Sequence, residues 1–146
     1  MKLFAKIILF LILILAVYIG CAENNRCPKI EESIQSLKGN LEFSLDTINT
    51  EKWDTVYIME PYSNRTLDTL NIQNMPIRVR SSLRATLRGD RWCVLIFTEK
   101  QNYVNHALIE RNVDFYHLQK IKYPYNQIYF LEGKDHFKKV IIIEEK

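Results

Sequence analysis

Trp92-Cys93-Val94-Leu95-Ile96-Phe97 is an unbroken apolar run set between Gly89-Asp90-Arg91 and Glu99-Lys100. An amphipathic strand alternates apolar and polar residues. This run is apolar at every position, so both of its faces must be covered, and it reads as a central strand. Glu99-Lys100-Gln101-Asn102 then forms a turn, and Tyr103 to Ile109 returns as the second arm of a hairpin. Upstream, Thr55 to Met59 is β-branched and apolar and reads as a strand running into Pro61-Tyr62. Leu41, Phe43 and Leu45 alternate with Glu42, Ser44 and Asp46, as in a strand with one wet face. Ile128 to Glu132 and Phe137 to Glu144 flank Gly133-Lys134-Asp135 as a terminal hairpin, and Asn112 to Tyr116 prolongs or kinks the arm before it.

Helical signals are fewer. Ile30, Ile34 and Leu37 fall on one helical face, with Pro28 suited to the first turn and Lys38-Gly39 to the end. Asp46 to Lys52 reads as a loop. Ser63-Asn64 is placed to cap a short helix over Thr66 to Leu70. From Met75 to Asp90 two periods compete: Ile77 and Val79 alternate with Arg78 and Arg80, whereas Leu83 and Leu87 are spaced as in a helix. That segment is assigned to neither. The whole predicts an α+β domain, a mostly antiparallel sheet of five or six strands with one or two packed helices.

The chain begins MKLFAKIILFLILILAVYIGC. Lys2 and Lys6 lead an apolar run of roughly 13 residues, Ile7 to Ile19, and a small residue, Gly20, closes it, the layout of a secretory signal. Because Cys21 follows Gly20 directly, the segment resembles a bacterial lipoprotein signal. The resemblance implies cleavage before Cys21, lipid on Cys21 and a membrane-anchored domain in the cell envelope. In a Gram-negative cell it implies the outer membrane, since Ala22 and not an aspartate follows. Tyr18 stands where the pattern has an aliphatic residue. The alternatives are an uncleaved anchor, for which the run is short, and cleavage with release. Residues 1–20 are thus read as the signal, 21–27 as lipidated cysteine and tether, and 28–146 as one domain.

Net charge is +3, and losing Lys2 and Lys6 leaves +1, so there is no global electrostatic case for nucleic acid. The chain's four glycines form no cluster able to cradle phosphate, which argues against nucleotide cofactors. Given export, Cys27 and Cys93 form a candidate disulfide in an oxidising compartment. It would close a loop of roughly 65 residues, worth about 4 kcal/mol. If it forms, the helix after Cys27 must pack on the strand face shared by Cys93, Leu95 and Phe97.

Trp53-Asp54-Thr55-Val56-Tyr57-Ile58 with Pro61-Tyr62 resembles a group of small lipoproteins of unassigned activity, over about Leu41 to Leu131. The likeness implies export and anchoring. Read structurally, Trp53 and Tyr62 are core anchors with a polar handle each, and Asp54 bonds a backbone amide or an arginine. Read functionally, the two aromatics grip a glycan or a peptide.

No catalytic constellation emerges. His106, His117 and His136 sit at no metal-ligand spacing, and His106 reads as a strand histidine sharing a face with Val104 and Leu108. The acidic pairs Glu31-Glu32 and Glu144-Glu145 read as solvated element ends. The candidate binding surface is Arg78, Arg80, Arg84, Arg88 and Arg91, with Asp90 the one acid among them. Guanidinium forks suit carboxylate and phosphate; the plainer reading is a charged edge that blocks unwanted strand pairing. The sequence therefore points to a non-catalytic interaction module, of inhibitor or immunity type, whose partners are the membrane through its anchor and an envelope protein or acidic polymer. An envelope hydrolase using Asp54 or a histidine is the alternative.

Overall fold

The computed structural model describes residues 25–115, 118, 120–134 and 137–143. Within these, the elements run α1 (Pro28–Ser36), β1 (Leu41–Ser44), α2 (Leu45–Ile48), β2 (Thr55–Met59), α3 (Asn64–Thr69), α4 (Ile77–Thr86), β3 (Trp92–Glu99), β4 (Asn102–Glu110), β5 (Val113–Asp114), β6 (Lys122–Pro124), β7 (Ile128–Lys134) and β8 (Phe137–Ile142). The fold is α+β, as the sequence predicts, but its strands form two sheets of four. The first has the order β4-β3-β2-β6 and the second β1-β7-β8-β5. Every pairing is antiparallel except the short β5–β8 pair.

β3 explains the layering. Cys93, Leu95 and Phe97 join a core with Val56 and Ile58 of β2, Ile30 and Ile34 of α1, and Tyr129, Leu131 and Val140 of the second sheet. Val94 and Ile96 point the other way, into a second core with Leu67 of α3, Val79 and Leu83 of α4, and Leu87. The first sheet is thus sandwiched between the second sheet with α1 on one face and two helices on the other. A strand with both faces buried gains nothing from polar residues, hence its uniform sequence.

The hairpin between β3 and β4 turns at Lys100 and Gln101, both at positive φ (48° and 69°). That is the twist a tight two-residue hairpin demands, usually met by Asn or Gly. Here the Asp54 carboxylate accepts the Lys100 amide at 2.6 Å, and Gln73 bonds on both sides of the turn, through Gln101 O and Tyr103 N, each at 2.9 Å.

Several sequence expectations change. The loop expected over Asp46 to Lys52 opens with the single turn of α2. The undecided 75–90 segment holds α4, because Val79, Leu83 and Leu87 bury one helical stripe. Ser63 precedes α3, yet its hydroxyl donates to the Glu60 carbonyl and caps no helical amide. Val113-Asp114 neither prolongs nor kinks β4 but crosses to the second sheet. At Gly39 a side chain would collide with the Gly133 backbone, so only glycine lets α1 turn there into β1.

Candidate interaction surface

Arginines 78, 80, 84 and 88 sit on or just past one helix, α4, and Arg91 lies in the link to β3. The structure does not gather them into one cluster. Arg80 turns inward and donates to the carbonyls of Leu67 (3.2 Å) and Ile72 (3.1 Å), tying α4 to α3. Arg84 pairs with Asp68 of α3. Arg91 lies over the Trp92 ring, 4.8 Å from its centroid, and bonds Glu110 at 3.1 Å across the sheet. All three are engaged with neighbouring elements of the fold. Arg78 on α4 and Arg88 just past its end are both exposed to solvent, with Ser81, Ser82 and Ala85 between them.

The second feature is the outer edge of β4. Asn25, Arg26 and Cys27 run beside it in parallel, bridged at Arg26 and His106. His106 N–H donates to Asn25 O (3.0 Å) and Cys27 N–H to His106 O (2.8 Å). The Asn25 amide reaches Val104 O at 3.0 Å. One step further, the Glu31 carboxylate accepts the Leu108 amide at 2.8 Å while Arg26 grips both its oxygens at 2.8 Å. Glu31 is buried, not the solvated helix end expected. The sequence carried one hint, Arg26 placed just ahead of an acid beside apolar Ile30. Asn25 to Cys27, inside the stretch 21–27 read as tether, are therefore part of the fold.

His106 is also buried, and its Nδ1 is hydrogen-bonded to the Tyr103 hydroxyl at 2.6 Å. Burial pulls its pKa from 6.5 down to about 4; Glu31 opposes the shift and Arg26 reinforces it. A register shift between Phe97 and Thr98 puts Val104 on the face opposite His106, so only Leu108 shares the histidine's face as expected. His117, His136, Glu144 and Glu145 lie outside the described residues, as do Cys21 and the leader. Among the described residues, no group of three or more His, Cys, Asp and Glu side chains could hold a metal ion.

Cys27 and Cys93 are both free thiols, so the expected bridge is not formed in this structure. α1 nevertheless packs on the Cys93 face, as that bridge would have required, because Ile30 and Ile34 fill it. Cys93 is fully buried, and burial pushes its thiol up to about 11.

The Trp-Asp and Pro-Tyr positions separate. Trp53 is buried against Phe97, and its indole Nε1 has no hydrogen-bond partner among the described residues. Asp54 takes the backbone amide expected of it. Tyr62 is 67 % exposed at positive φ (64°) and is no core anchor. The two aromatics lie beyond opposite ends of β2, so they form no joint grip. Near Tyr62, Met59, Glu60, Ser63, Thr66, Lys120 and Ile121 line a cleft of about 250 Å³.

No family model, no curated protein and no solved structure matches this chain.

Proposed function

We propose that the chain is a lipid-anchored protein of the cell envelope that works by binding an acidic partner, protein or polymer, in the manner of an inhibitor or immunity module. The observation that carries this reading is the leader ending in Gly20-Cys21, with Asn25 already bonded to β4 only four positions later. A domain held so close to a lipidated residue is confined to partners at the membrane face. The outer face of α4, with Arg78 and Arg88 at its two ends, supplies cations for such a partner. Two of the groups a hydrolase would use have other work: Asp54 braces the hairpin turn, and His106 is sealed beside Tyr103.

The test is binding of the purified protein to envelope fractions across a salt series, beside the double variant Arg78→Gln/Arg88→Gln. Two exposed charge pairs at about 0.7 kcal/mol each amount to about tenfold in affinity at low salt. Unchanged binding contradicts the role given to α4. Turnover of an envelope polymer that disappears in Asp54→Asn, in a variant that stays folded, contradicts the non-catalytic reading.

A further inference from the structure

The lipid anchor proposed above also fixes which end of the domain meets the membrane, and the inference here rests on that anchor. Asn25 to Cys27 run parallel to β4, so the described chain enters from the Asn102 end of the first sheet. From Cys21 to Asn25 there are four residue steps, a covalent reach of at most about 14 Å. Asn25 lies level with Asn105. Glu110, at the far end of β4, is five residues on, about 17 Å away at 3.3–3.4 Å per residue, and beyond that reach. Asn102 is three residues back, about 10 Å, and within it.

The surface at the Asn102 end carries apolar and lysine side chains suited to a lipid interface, with the carboxylates of Asp54 and Glu99 among them. Ile77, at the start of α4, is 84 % exposed. It sits at this end because Asn74 bonds Asn102 at 2.6 Å and Gln73 bridges to the same residue. Tyr125, 43 % exposed, packs against Trp53 with ring centroids 4.8 Å apart and planes tilted by 57°, and its amide is held by Asp54 O. Lys100 is at the turn itself, and Lys52 is beside it, paired with Glu99 at 2.6 Å. A branched aliphatic, a tyrosine with apolar body and polar tip, and lysines with long stems suit the boundary between headgroup and acyl chain. At the opposite end lie Arg91, Glu110 and the cleft beside Tyr62.

We propose that the Lys100 end of the first sheet rests on the lipid headgroups, with Ile77 and Tyr125 entering the interface, and that the cleft lined by Glu60 and Lys120 is held on the side away from the membrane.

The chain's two tryptophans report on this directly, because Trp53 lies at the Lys100 end and Trp92 at the Glu110 end. The lipidated protein, extracted from membranes, is reconstituted on phosphatidylethanolamine–phosphatidylglycerol vesicles bearing a headgroup nitroxide. Trp92→Phe leaves Trp53 as reporter, and Trp53→Phe leaves Trp92. The expected result is several-fold stronger quenching of Trp53 than of Trp92. Should Trp53→Phe fail to fold, dye-labelled Ile77→Cys and Arg111→Cys in a Cys27→Ser background ask the same question: a blue shift on vesicles is expected at position 77 and not at 111. Equal quenching, or stronger quenching of Trp92, on protein that floats with the vesicles overturns the orientation and leaves the anchor standing. Protein that carries no acyl mass and does not float overturns the anchor, and the orientation with it.

Discussion

The Glu31 carboxylate accepts a hydrogen bond from the Leu108 amide at 2.8 Å, in the place where another strand would bond the edge of the first sheet. An open edge invites pairing with other chains. Here the outward ladder groups of β4 are met in turn by Asn25, Cys27 and Glu31. Removing the carboxylate leaves a backbone donor without its partner and Arg26 without its counter-ion. Glu31→Ala is therefore expected to cost about 2–3 kcal/mol, as for a hydrogen bond to a charged group. Arg26→Ala, whose side chain is 43 % exposed, is expected to cost about 1 kcal/mol or less. Urea midpoints of the two variants check the order; equal effects contradict it.

His106 makes stability depend on pH. Its folded pKa, about 4, lies below the ordinary 6.5 because burial disfavours the imidazolium. The unfolded chain binds the proton more tightly, so the histidine's contribution is complete above pH 6.5 and is lost as pH falls from there toward 4. The difference corresponds to about 3 kcal/mol. Denaturation of the wild type at successive pH values is expected to show that slope, and His106→Gln to flatten it. A slope unchanged in the variant would assign it to other groups.

The arginines are expected to divide by role. Arg80→Gln removes two bonds to backbone carbonyls of the α3 region and is expected to destabilise by about 1–2 kcal/mol. Arg88→Gln, on an exposed position, is expected to stay within about 0.5 kcal/mol. Thermal unfolding of both checks this, and a reversal would mean that the outer face of α4 is structural.

The two cysteines of the domain are expected to react at different rates. In a folded Cys21→Ser protein, a thiol reagent should modify half-buried Cys27 readily. Cys93, buried and with a thiol raised to about 11, should react only on unfolding. Absence of any reactive thiol before reduction would mean that the pair is bridged in solution.

What could be read beforehand follows from the range of the interactions. β3 and its hairpin partner were legible because local pattern and burial agree over Trp92–Ile109. β2 and the β7–β8 hairpin were legible for the same reason. The second sheet was not, because Leu41–Ser44 pairs with Ile128–Leu131 across most of the chain, and no local signal records that. α4 was hidden because Ile77, which reads as an inward strand residue, is exposed, while Arg80 is drawn in to cap carbonyls. Tyr62 misled for a related reason: an aromatic after a strand suggests core, but the backbone there turns at positive φ and carries the ring outward. Of the candidate surface, the residue types were visible. That Arg80 and Arg84 turn toward the α3 region while Arg78 and Arg88 lie exposed needed α3 in place.

The most direct test of the account is the intact mass of the chain extracted from membranes, beside a Cys21→Ser sample. A polypeptide that starts at Cys21 and carries acyl mass is expected, with loss of that mass in the variant. A chain that still starts at Met1, or an unmodified chain in the soluble fraction, would contradict it.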